Sequence, residues 1–149
     1  VTVGQARYWG VSNAYNRRDI VLKVADPTAS WANTSPTVRQ SRGDANNYAR
    51  VLCCLPDERV DVEFSQNVGV GINGDAAIAV GWNSATTVSG RASLQSSDAA
   101  AALSFTAKHV NAPSLGMNEA MMLEQVPSSV SATFNGTEAS MLMTVRFKA

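Results

Sequence analysis

The stretch from Gly116 to Phe147 carries the pattern that most limits what this chain can fold into. Residues 117–126 are rich in apolar side chains and are broken by Pro127-Ser128-Ser129. Val130, Ala132 and Phe134 then alternate with Ser131 and Thr133. Asn135-Gly136, among the strongest short turn signals, follows. Met141, Met143, Val145 and Phe147 alternate in turn with Leu142, Thr144 and Arg146. Successive side chains of a strand point to opposite faces, so a period of two marks strands with one buried face. The stretch therefore predicts a sheet, with a hairpin about Asn135-Gly136. Leu142 interrupts the polar face of the last segment, and Met121, Met122 and Leu123 are apolar without a break. The expectation is a hairpin covered on both sides, by a sandwich core on one and by a neighbouring subunit on the other.

The same alternation recurs upstream. Residues 19–24, 30–33, 37–40, 48–55, 59–65, 68–72, 76–82 and 103–107 read as short strands bounded by Pro, Gly, Asn and Asp. Asn73-Gly74-Asp75 reads as a second hairpin turn. Residues 96–103 (SSDAAAAL) are the one helix candidate, with Ser97 or Asp98 as its N-cap. Residues 1–9 read as a strand or as an arm reaching a neighbour. Eight to ten short strands, no repeat and no linker predict an all-β chain: a single-domain antiparallel β-sandwich over 1–149, jelly-roll-like, with at most one short helix. At 149 residues the chain is long enough to bury one sizeable core.

Composition narrows the function classes. Only 16% of residues are charged, against about 25% in an ordinary globular chain, and Ser, Thr, Asn and Ala fill the gap. Such a surface fits an extracellular or particle-bound β protein. Twelve basic and twelve acidic residues give a net charge of zero, which argues against a general nucleic-acid binder. Zero net charge also gives little colloidal repulsion and suits life in an assembly. No apolar run approaches the roughly 20 residues that span a bilayer, so no membrane partner is expected. No signal peptide is read at the start, and Val1 in place of Met points to processing or an internal start. Cys53 and Cys54 are adjacent and should point to opposite faces of a strand. Two free thiols are favoured over a strained vicinal disulfide or an intermolecular bridge.

Each chemical motif has a plainer structural explanation beside it. Gly69-Val70-Gly71-Ile72-Asn73-Gly74 fits a dinucleotide fingerprint, but a strand pattern follows it where a helix is required. Arg42-Gly43-Asp44 is an adhesion-type tripeptide in a loop whose chemistry favours Gly and Asp anyway. His109 is the only histidine, so neither a zinc site nor a nucleophilic triad is expected. Asp61 and Glu63 share the solvent face of one strand, as any half-exposed strand would arrange them, and a glycosidase pair must also face a cleft. Asp57 and Glu58 offer calcium-type oxygens without a loop motif. Trp31, Tyr48 and Trp82 are the candidate contacts for a glycan, whereas core filling is the commoner use of such rings. Asn33-Thr34-Ser35 and Asn135-Gly136-Thr137 match the glycosylation sequon.

Several pieces, in order along the chain, resemble tailed-bacteriophage virion surface proteins, small β domains that occur alone or at the C-terminal end of fibre-like chains. They are Ser30-Trp31 followed by Thr37-Val38-Arg39-Gln40, and Leu55-Pro56-Asp57-Glu58-Arg59-Val60-Asp61-Val62. Val80-Gly81-Trp82-Asn83-Ser84 with Thr86-Thr87 comes next. The last are Gly116-Met117-Asn118, Met122-Leu123-Glu124, Thr133-Phe134-Asn135-Gly136-Thr137-Glu138 and Met141-Leu142. The ending Phe147-Lys148-Ala149 and the cysteine pair depart from that pattern. The resemblance implies a symmetric β-sandwich on the virion exterior, without catalytic activity, and carries over no functional residues.

The expected function is structural: a capsid decoration (cement) protein or head-fibre component that stabilises the shell through subunit contacts. The expected partners are further copies of itself in a trimer and the major capsid protein or another virion protein. Tyr8, Trp9, Met122 and Leu142 are the candidate contacts with neighbours. No catalytic residue, metal or cofactor is expected. The alternative is a receptor-binding tip domain that recognises a host-surface glycan. A hydrolase is the third class and lacks an acid–base constellation.

Overall fold

The computed structural model describes residues 9–11, 18–54, 59–97, 101–128 and 130–148, with backbone alone for 9–11. These form twelve strands: β1 (Trp9–Val11), β2 (Asp19–Val24), β3 (Ser30–Asn33), β4 (Arg39–Gln40), β5 (Tyr48–Cys53), β6 (Val60–Val70), β7 (Asp75–Trp82), β8 (Gly90–Gln95), β9 (Ala101–Asn111), β10 (Gly116–Gln125), β11 (Ala132–Asn135) and β12 (Met141–Lys148). A 3-10 turn, Ser41–Gly43, follows β4. The strands make two six-stranded sheets. Sheet A runs β1-β5-β10-β7-β8, with β4 also on β10; sheet B runs β2-β12-β6-β11-β3, with β9 also on β6. Every pairing is antiparallel except that of β1 with β5. The chain is the all-β sandwich its alternation predicts.

β6 is the centre of sheet B. Its eleven residues alternate between core and exterior without a break, which merges the two strands expected at 59–65 and 68–72. β9 pairs with all of it on one side. β12 pairs with residues 61–66 and β11 with residues 68–70 on the other. Phe64, Phe134, Met141 and Met143 from sheet B meet Ile78 and Met122 from sheet A in one core. Each is at most 1% exposed.

Both turn signals act differently from expectation. β11 and β12 are not a hairpin: they run in line along the same edge of β6, and residues 136–140 form an excursion between them. Burial decides this, because both segments carry a core face that β6 can cover. Side chains fix the break. Gln66 Nε2 donates to the Asn135 carbonyl (3.2 Å), and Asn135 Nδ2 donates to Asn67 Oδ1 (2.7 Å). Gly136 serves close approach, since a Cβ there would stand 1.9 Å from the Thr28 carbonyl oxygen. Asn73-Gly74 likewise joins strands of different sheets, carrying the chain from β6 across to β7, with Asn73 at φ 56°.

The helix expected over 96–103 is not formed where it can be judged. Residues 98–100 lie outside the described residues, and Ala101–Leu103 open β9, opposite Val68–Val70. Alanine has no amphipathic stripe to offer here, so pairing with β6 overrides its helix propensity. On the outer face of β12, Leu142 is half-buried, Thr144 buried and Arg146 exposed. Trp9, the end of the expected arm, pairs with Arg50 of the chain's own β5.

Gly136→Ala should cost more than 2 kcal/mol in urea unfolding, because backbone must move to admit the methyl group. Gly43→Ala, at φ +67° with nothing within 4 Å, should cost only about 1 kcal/mol. Equal costs at the two sites would contradict the close-approach role of Gly136.

Candidate functional site

The residues singled out by sequence do not converge. Trp82 lies opposite Ala120 with its ring against the core, 6.0 Å from His109. Tyr48 lies opposite Met121 on the outer face of the same sheet, under the Arg50 guanidinium at 4.6 Å. Trp31 belongs to sheet B, where its ring stacks on Phe134 at 6.2 Å. A sugar platform needs its rings on one surface, and these three face different ways. Met122 is fully buried in the sandwich core, which corrects its placement at a subunit contact: it occupies the inward position of β10. Leu142 sits half-buried on the exterior of sheet B. Tyr8 lies outside the described residues, as do Asp57 and Glu58.

What the fold does assemble is a pair of buried carboxylates between the sheets, Asp26 and Glu124, each 1% exposed. Asp26 follows β2 in sheet B. It accepts bonds from Arg42 Nε (2.8 Å) and Asn47 Nδ2 (3.0 Å), both on the segment joining β4 to β5 in sheet A. The Thr28 backbone N–H donates to it as well (2.9 Å). Glu124 occupies the inward face of β10. It accepts from the Trp31 indole Nε1 (2.7 Å) across the sandwich, and from Arg39 Nε (2.9 Å) and Nη2 (2.7 Å) on β4. Two carboxylates thus hold two arginines three positions apart and bind the sheets to each other.

The two acids are tuned in opposite directions. Burial alone would raise the Asp26 carboxyl, but bonds from Arg42, Asn47 and Thr28 outweigh it and bring the group below its ordinary value. Burial dominates at Glu124 and raises it above the ordinary glutamate value, against the pull of Trp31 and Arg39. Sequence reasoning missed both. Asp26-Pro27 looks like a strand terminator, and Glu124 carried one detectable signal: it shares the inward period of Ala120, Met122 and Val126.

The remaining motifs are structural in form. Arg42 of Arg42-Gly43-Asp44 is held by both Asp26 and Asp44, with Arg42 at φ 61°, so the tripeptide is folded on itself. Glu63 is bound by Lys108 (2.8 Å) and Arg146 (3.1 Å), which draw it below its ordinary value. Gly69–Gly74 ends β6 and turns between sheets. Asn33 is 4% exposed, and Asn135 spends its amide on Asn67. Cys53 is buried and Cys54 exposed, as alternation expects. An open depression of about 610 Å³ sets Arg59, Arg146 and Lys148 against Asp19 and Asp61, over Ile20 and Phe147. Among the described residues no three His, Cys, Asp or Glu side chains gather as metal ligands. No protein-family model matches the chain, and no characterised protein matches it in sequence.

Glu124→Ala leaves the Trp31 indole N–H without its acceptor while Arg39, at the edge, is taken up by water, so it should cost about 1–3 kcal/mol at pH 7. Glu63→Ala, at a solvent-exposed pair, should cost less than about 1 kcal/mol. Asp26 has a depressed folded pKa, so its stabilisation is complete above the unfolded value and is lost as pH falls through the folded one. Chemical unfolding between pH 7 and pH 2 should show an acid limb that Asp26→Asn flattens. A parallel acid limb in that variant would assign it to other groups.

Proposed function

We propose that this chain is a non-enzymatic structural protein on the exterior of a bacteriophage virion. It would serve as a capsid decoration (cement) protein or head-fibre component, bound to further copies of itself and to the major capsid protein. The observation that supports this reading best is a difference between the two outer faces of the sandwich. The exterior of sheet B is mostly charged and polar: Lys23, Asp61, Lys108, Arg146 and Lys148 are exposed there around Val21 and Val110, and Ser65–Thr106 and Asn67–Ser104 are joined by side-chain hydrogen bonds. The exterior of sheet A is apolar through its middle. Leu52 lies opposite Met117 and Tyr48 opposite Met121, with Met117 exposed and the other three half-buried; Leu123, Ala77 and Ala79 on the same side are already covered by the chain itself. Arg50 and Glu119 on that face neutralise one another at 2.7 Å. A methionine-bearing face whose central charges are paired, on a chain of zero net charge, suits docking onto a protein surface.

The mechanism on this reading is burial of that face between copies or against the shell by a jelly-roll-like domain. Closed rings are the usual solution for identical subunits, and a trimer suits both a local threefold of a capsid and the axis of a fibre. The ordered resemblance to phage surface proteins supports the same reading. Image reconstruction of particles with and without the protein tests it directly. Met117→Glu places a charge on the docking face at a residue 41% exposed. It should lower particle occupancy at least tenfold with the circular dichroism spectrum unchanged, whereas Thr106→Glu on sheet B should leave occupancy intact. Full occupancy with Met117→Glu, or no density on any particle, would overturn the assignment.

A further inference from the structure

β4 is joined to its sheet by very little backbone. It pairs with β10 over two positions, Leu123 with Gln40 and Glu124 with Arg39. The turn before it touches the same region through Val126 N–H to the Ser35 carbonyl (2.9 Å) and Gln125 Nε2 to the Pro36 carbonyl (2.6 Å). The strongest tie is the Arg39 fork on Glu124, whose other oxygen takes the Trp31 indole N–H. A two-residue ladder held by one buried carboxylate is a latch, since the charge on that carboxylate decides whether Arg39 has a reason to stay.

We propose that protonation of Glu124 releases Arg39 and unlatches residues 34–40 from β10 while the sandwich stays folded, making this edge of the molecule acid-responsive. Three features of the geometry support a local release. The Arg39 side chain is 38% exposed, so water can take the place of Glu124 as its partner. The Glu124 carboxyl is buried, and a neutral carboxyl still accepts the Trp31 N–H, so the core beneath is not opened. The following turn has anchors of its own, Arg42 and Asn47 on Asp26, and its Arg42 N–H on Glu124 is a bond that a neutral carboxyl still accepts.

Among the described residues the charged surroundings of Glu124 are few. From β4 comes Arg39. From the 3-10 turn comes the Arg42 backbone N–H, while its guanidinium is held by Asp26 and Asp44. β7 presents Ile78 opposite Glu124, and its one acid, Asp75, is bonded to Ser128 at the strand's end. β3 and β11 present Trp31 and Phe134. Burial raises the Glu124 pKa, so the folded protein takes up this proton more readily than the unfolded chain. That contribution to stability is fully present below the unfolded value and is lost as pH rises through the folded one. Acid therefore favours the protonated fold, and release precedes the unfolding driven by Asp26.

The test follows the Trp31 indole N–H resonance and the amide exchange of Arg39, Gln40 and Val126 in the full chain from pH 7 to pH 3. The expected result is a titration of the indole signal with a midpoint above the ordinary glutamate value. Exchange at the three amides, corrected for intrinsic rates, should quicken at least tenfold across it, with the near-ultraviolet dichroism of the core unchanged. Glu124→Gln should exchange fast at those amides already at pH 7 and show no titration. Should that variant not fold, Arg39→Gln serves in its place: it removes the cation, so the midpoint should move to higher pH and the β4 amides should be fast throughout. Protection of the three amides that persists to the global acid transition would overturn the proposal. So would the same titration in Glu124→Gln, or an unmoved midpoint in Arg39→Gln.

Discussion

Strand β6 has no free edge. β9 covers one side along all eleven residues, and β12 and β11 divide the other between them. Unpaired backbone groups are costly when buried, so a strand whose alternate side chains are all core residues is best placed where both edges are satisfied. The rest of sheet B follows from that placement: β2 attaches to β12 and β3 to β11. The second sheet is then specified by what β6 and its neighbours leave uncovered, namely Phe64, Met143 and Phe134 facing Ile78 and Met122.

Hydrophobic burial of this kind holds two sheets together but says little about which loop meets which edge. The buried acids do that. Asp26 can be satisfied only if the β4–β5 connection brings Arg42 and Asn47 to it, and Glu124 only if Trp31 and Arg39 arrive from opposite sheets. Buried ion pairs add little net stability compared with a well-packed apolar substitute, because desolvation consumes most of the attraction. Their contribution here is geometric. Either acid left without its partners would be an unsatisfied polar group in a dry interior, so alternative threadings of residues 26–47 are disfavoured.

The parts legible in the sequence are those where one period governs. Residues 60–70 and 141–148 turn their alternate side chains inward as the period requires, with Gln66 the polar side chain among them. Sheet membership was not legible, because a turn residue reports local backbone shape and not what the flanking strands pair with. Asn73-Gly74 and Asn135-Gly136 were therefore read correctly as breaks and wrongly as hairpins. The clamp was hidden for a different reason. Arg39, Arg42 and Asp26 sit in polar tracts that look like solvated loops, and only contact with residues up to 85 positions away ties the two arginines to buried carboxylates. The three aromatics proposed as a sugar platform were separated by the fold for the same cause: side-chain type is local information, and convergence is not.

The in-line arrangement of β11 and β12 also bears on how this chain can vary. In a hairpin, the turn sets the register of the strand that follows, and one inserted residue exchanges inner and outer side chains along its whole length. Here β12 takes its register from β6, and the excursion of residues 136–140 lies between two segments that are each aligned independently. Glu138 and Ala139 are exposed at its tip, between Thr137, whose N–H bonds the Asp26 carbonyl, and Ser140, whose carbonyl takes the Asn67 N–H. Length changes at that tip are decoupled from the core. The excursion is thus a place where a lineage can lengthen, shorten or replace a surface feature without re-solving the packing problem beneath it.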